Sequence, residues 1–89
     1  MAVKVKVTSV LQKVTGAKVV EGNGGTVAEL LSTLDTTYPG FKQQIMQEGH
    51  LHRFVNIYLN DEDIRYLDQL DTRVKDGDTI SILPALAGG

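Results

Sequence analysis

Residues 26–38 read TVAELLSTLDTTY and constrain the fold more than any other stretch. Thr26 precedes the first apolar residue and Glu29 follows three positions later. That is the spacing of a capping box: the hydroxyl accepts from a free backbone N–H, and the carboxylate reaches back to the cap. Val27, Leu30, Leu31, Leu34 and Tyr38 recur every three or four residues, which predicts one helix with one apolar stripe. Pro39 and Gly40 stop it. Such a helix must bury its stripe against another element, and 89 residues leave room for one core.

The flanking segments supply a sheet. Residues 3–8 alternate, with Val3, Val5 and Val7 on one face and Lys4, Lys6 and Thr8 on the other. Residues 17–21 read as a second short strand, antiparallel to the first, broken by Gly22-Asn23-Gly24-Gly25. Residues 54–60 read as a third strand. Val55, Ile57 and Leu59 share its inner face; Phe54, Asn56, Tyr58 and Asn60 share its outer face. Residues 60–63 are a polar turn and residues 64–67 a short edge strand, followed by an irregular stretch holding Leu70 and Val74. Lys75-Asp76-Gly77-Asp78 is a turn, and residues 79–83 are the last strand, with Ile80 and Ile82 inward. Pro84 has no N–H and is expected to end the pairing. Residues 8–16 are read as a connection whose Val10, Leu11 and Val14 cover a core edge. Residues 41–47 form a short helical piece anchored by Phe41 and Ile45, and residues 48–53 a loop.

One stripe and several one-faced strands pack most economically as a helix across one face of a single sheet. The first and last strands are the most apolar and belong side by side in the middle. The expected fold is α+β and β-grasp, the ubiquitin-like arrangement, with a mixed sheet of four to five strands and one main helix. The domain covers residues 1–84, and residues 85–89 form a flexible tail beyond the last strand.

Several function classes are disfavoured. A net charge of −2 with both signs dispersed does not suit a nucleic-acid partner, which needs a basic face. No apolar run approaches a membrane span and MAVKVKV lacks a signal-peptide layout, so a cytoplasmic protein without a membrane partner is expected. The chain has no cysteine, hence no thiolate ligand or catalytic thiol. Gly22-Asn23-Gly24-Gly25 precedes a helix but lacks the lysine of a phosphate-binding loop. His50 and His52 have no obvious third ligand, so no metal site is expected. Asp61, Glu62 and Asp63 lack the alternation of a calcium loop and read as a hairpin turn. No triad and no self-contained active site emerges.

Two features remain. Phe54, Tyr58 and Leu83 fall on the sheet face away from the helix, where an apolar cluster suits a partner. The chain ends Ala85-Leu86-Ala87-Gly88-Gly89, without charge or bulk. Extended, five residues reach roughly 17 Å, and glycines pass narrow channels. Such a tail suits insertion into another protein's active site, with the Gly89 carboxylate as the reacting group.

Together, the tail Leu83-Pro84-Ala85-Leu86-Ala87-Gly88-Gly89, the turn Asp76-Gly77-Asp78 and the stretch LHRFVNIYLNDEDIRYL resemble the ubiquitin-like sulfur carrier family. That family includes the molybdopterin synthase small subunit, the thiamine-pathway carrier and the carrier for cysteine biosynthesis, and these loops look most like the last. The resemblance implies a protein cosubstrate, not an enzyme. A ubiquitin-activator-type (E1-like) adenylating and sulfurtransferase enzyme would bind the open sheet face, draw in the tail and use ATP to adenylate Gly89. A sulfur donor would then leave a thiocarboxylate. The carrier itself would bind no cofactor. The acceptor would be a PLP enzyme of the cysteine synthase type, or alternatively a molybdopterin or thiazole synthase, with a peptidase releasing the product in the cysteine branch. A ubiquitin-like modifier joined to lysines is the further alternative.

Overall fold

The computed structural model describes residues 2–47, 50–51 and 55–84. Its elements run β1 (Val3–Val7), α1 (Ser9–Thr15), β2 (Val19–Gly22), α2 (Val27–Thr37), α3 (Phe41–Ile45), β3 (Met46–Gln47) and β4 (His50–Leu51). They continue with β5 (Val55–Leu59), β6 (Glu62–Asp63) and β7 (Thr79–Pro84). Five strands make one mixed sheet in the order β2-β1-β7-β5-β6. The two chain-terminal strands lie parallel at its centre, Val5 beside Ile80 and Val7 beside Ile82. Every other pairing is antiparallel. This is the expected β-grasp sheet.

The period-two pattern sets which face is buried. Val3, Val5 and Val7 are buried while Lys4 and Lys6 are exposed. Ile57, Ile80 and Ile82 continue the inner layer. Val27, Leu30, Leu31 and Leu34 of α2 are all buried against it, and Tyr38 packs at its margin. Each fully buried leucine contributes about 1.5–3 kcal/mol. Phe41 and Ile45 of α3 close the same core.

The capping box forms with one change. Thr26 Oγ1 accepts from Glu29 N at 3.2 Å, but Glu29 Oε1 accepts from Gly25 N at 2.8 Å, one residue before the cap. The bridge between residues 26 and 73 is made on either side of them, Val27 N donating to Thr72 O at 3.0 Å and Val74 N to Gly25 O at 3.1 Å.

Four local expectations are corrected. Residues 8–16 are not a plain connection but hold α1, which ends at Gly16 with φ +76° and Gly16 N–H bonded to Gln12 O. Gly16 marks its end, a signal that the short stripe of Val10, Leu11 and Val14 obscured, while Thr8 at its start makes no side-chain cap bond. Residues 48–53 are not wholly loop: Met46 and Gln47 pair with Leu51 and His50 in a small second ladder. The edge strand is Glu62–Asp63, whereas Ile64–Tyr66 form a 3₁₀ turn that tucks Ile64 inward. Pro84 does not end the register, since it still stands opposite Val55. A proline costs nothing in a ladder where its nitrogen faces away from the partner strand.

Candidate functional site

Among the described residues, the sheet face opposite α2 is left without a covering element. Parity along β1, β5 and β7 sends Lys4, Lys6, Asn56, Tyr58, Ser81 and Leu83 to the side opposite α2. Tyr58 stands beside Ser81 and Asn56 beside Leu83, so Tyr58 and Leu83 are diagonal neighbours on one surface. Tyr58 is half-buried and Leu83 is 38% exposed. Two of the three residues expected to form a partner surface are therefore brought together. The third, Phe54, lies outside the described residues, as do the tail residues Ala85, Leu86, Ala87, Gly88 and Gly89.

A charged cluster covers the same face and was not legible beforehand. Asp63 pairs with Tyr58 across β5 and β6, which brings its carboxylate to the free side. Arg65 folds back over it, with Nε 3.2 Å and Nη2 2.9 Å from Asp63 Oδ2. Nη2 also donates to Asn56 Oδ1 at 2.6 Å. Asp63 Oδ1 accepts from Arg65 N at 2.9 Å and so caps the 3₁₀ turn as well. The side chain of Asp63 is 10% exposed and that of Arg65 is 59% exposed. The hydrogen bonds from the Arg65 side chain, with its backbone N–H and its charge, hold Asp63 below the usual carboxylate range against the opposing effect of burial. The same pairing raises Arg65 further. The only hint in the sequence is the Asp-Ile-Arg spacing, in which an Asx turn can bring an arginine back onto its own cap.

The opposite end of β7 carries a shallow concavity lined by Gly25, Leu59, Asn60, Arg73 and Lys75. Asp78 beneath it is buried, and both its oxygens accept, from Asn60 Nδ2 at 3.0 Å and Lys75 N at 2.9 Å. Asn60 Oδ1 takes Thr79 N at 2.9 Å. This carboxylate clamps the turn between strands.

Gly22-Asn23-Gly24-Gly25 has a packing explanation. A β-carbon on Gly24 would stand 2.6 Å from Leu30 N, and one on Gly22 would stand 2.6 Å from Leu30 Cδ1. Gly25 N is already bonded to Glu29. These glycines let the chain pass against α2. Of the candidate histidine ligands, His52 lies outside the described residues; among the described residues no group of three or more metal-ligating side chains occurs. No helix among them is long and apolar enough to cross a membrane.

Comparison with known proteins fits this geometry. The chain is 44% identical over 93 aligned positions to the sulfur carrier protein CysO of Mycobacterium tuberculosis, covering all of both chains. The CysO-containing crystal structure of the Amycolatopsis orientalis BexX/CysO complex superposes with a TM-score of 0.92 at 46% identity, over 99% of this chain and 100% of that one. Small archaeal modifier protein 1 of Methanosarcina acetivorans superposes with a TM-score of 0.85 at 35% identity, over 99% and 96%. The ThiS family model matches residues 5–89. A β-grasp chain closely homologous to CysO sulfur carriers, and matched to that model almost from end to end, belongs to the ThiS family.

Proposed function

We propose that the chain is a sulfur carrier whose Gly89 carboxylate is adenylated by a separate ubiquitin-activator-type enzyme and converted to a thiocarboxylate, most directly for cysteine biosynthesis. The observation that carries this is the full-length likeness to CysO carriers in a chain whose sequence reads Ala85-Leu86-Ala87-Gly88-Gly89 after its central strand. The chemistry is consistent with the residues. A carboxylate is a poor electrophile. Attack of a Gly89 oxygen on the α-phosphorus of ATP releases pyrophosphate and leaves a mixed anhydride with AMP. Hydrosulfide then attacks the acyl carbon, the acyl–phosphate bond breaks, and AMP departs with the electron pair. The product thiocarboxylate is itself a nucleophile toward an activated serine held on a PLP enzyme. With no cysteine in the chain, the terminus is the one place for such sulfur. The carrier holds no nucleotide in this scheme; ATP and the sulfur donor act at the partner, in the cytoplasm.

Intact mass spectrometry tests it. Incubation with an adenylating partner, ATP and hydrosulfide is expected to replace one oxygen by sulfur at Gly89. A chain lacking Gly89 is expected to show no change. An unaltered mass for the full chain overturns the proposal. The likeness to small archaeal modifier protein 1 favours one second reading, attachment of the same carboxylate to lysines. Gly-Gly remnants on other proteins' lysines are its required signature.

A further inference from the structure

We infer that Arg65 is the charged recognition residue of the open face, held ready to take a carboxylate of the adenylating enzyme. The inference rests on the carrier function proposed above and names the partner chemistry of that face.

The first argument is position. Asn56 accepts from Arg65 and stands opposite Leu83, one residue short of the end of the described strand. The tail follows Pro84 in sequence, so this end of the sheet is the described surface adjoining it. A guanidinium here meets the enzyme beside Tyr58 and Leu83, so an apolar contact and a charged one share one surface.

The second is preorganisation. Arginine loses much rotamer freedom when it is fixed in a contact. Here that ordering has already occurred in the free chain. Asp63 takes Nε and one edge of Nη2, and Asn56 takes the other. A guanidinium has five N–H donors. Both donors on Nη1 have no partner among the described residues, while more than half the side chain is exposed. Asp63 is nearly covered and spent on Arg65, so what this cluster offers to the outside is the two N–H donors of Nη1, on a guanidinium whose plane is already fixed.

The third is charge. Among the described residues Lys4, Lys6 and Arg65 are on the open side against Glu21 and Asp63, three cations to two carboxylates, whereas the whole chain carries −2. The locally positive surface of an otherwise acidic chain fits an acidic partner surface. Arginine also suits the role better than lysine, because Nε and Nη2 can stay bonded to Asp63 and Asn56 while Nη1 keeps its own donors for a partner oxygen.

Adenylation kinetics with a purified adenylating partner test the inference, read as pyrophosphate release against carrier concentration at several salt concentrations. Arg65→Ala and Arg65→Gln are expected to raise KM roughly tenfold with kcat at saturation little changed, and to flatten the salt dependence of KM. Arg65→Lys is expected to recover part of the loss, and Arg65→Glu to exceed it. Thermal unfolding of each variant separates a recognition defect from a folding one. Wild-type KM and salt dependence in Arg65→Ala overturn the inference while leaving the carrier function standing. A loss seen only with a sulfur-accepting enzyme also overturns it. A wild-type chain that is not adenylated overturns both.

Discussion

Tyr58 of β5 lies directly across from Ser81 of β7, and Leu83 follows two residues nearer the tail. The pairing fixes which way the ring faces. Ile57, next to it in sequence, is buried beneath the sheet, so Tyr58 must stand above it. Tyr58→Asp is therefore expected to lower the kcat/KM of adenylation about tenfold or more, because it puts a charge into an apolar contact. The fold is expected to survive, as shown by an unchanged circular dichroism spectrum. An unfolded variant would assign the ring to the core instead.

Gly24 carries a different constraint. Its missing β-carbon would collide with Leu30 N and Cα, at 2.6 and 2.9 Å. Hydrogen-bonded backbone in the first turn of a packed helix cannot retreat as a side-chain tip can. Gly24→Ala is expected to cost about 1–3 kcal/mol, the range for overpacking. Urea unfolding measures it, and stability equal to wild type would show that the loop has room after all.

The start of α2 is a separable contribution. Removing Thr26 Oγ1 leaves Glu29 N without its acceptor. Thr26→Ala is expected to destabilise by about 0.5–2 kcal/mol. A loss of about 1 kcal/mol lowers the melting temperature by roughly 4–8 °C in a domain of this size. Calorimetry decides, and an unshifted midpoint would mean that the cap is dispensable beside the Gly25–Glu29 bond.

Acid should dissolve the Asp63–Arg65 cluster. The folded-state pKa of Asp63 is lowered, first by the Arg65 side-chain hydrogen bonds. Its contribution is thus complete above the unfolded value, about 3.9, and is lost as pH falls through the lower folded value. Asp63→Asn is expected to melt below wild type at neutral pH, with the two curves converging in strong acid. Other carboxylates titrate in both proteins and cancel in the difference. A gap that stays constant with pH would show that the carboxylate's charge is irrelevant there.

The local patterns alone determined much of this protein. The stripe of Val27, Leu30, Leu31 and Leu34, the cap at Thr26 and the alternation of residues 3–7 each depend on neighbours within about one turn or one pleat. They carried the helix, the inward faces and the central place of β1 and β7 into the structure unchanged. The placement of Tyr58 and Leu83 on one open face followed from parity in the same way. Short elements were lost where local preference is weak. α1 has only Val10, Leu11 and Val14 to mark it over two turns, and the pairing of Met46–Gln47 with His50–Leu51 depends on the chain turning back on itself. Only the tertiary structure could put Arg65 against Asn56, nine residues away on a neighbouring strand, because that bond needs β6 to pair and then a 3₁₀ turn to reverse the chain. Likewise it alone showed that the glycines before α2 make way for Leu30. Packing distances between distant residues decide both, and no sequence period encodes them.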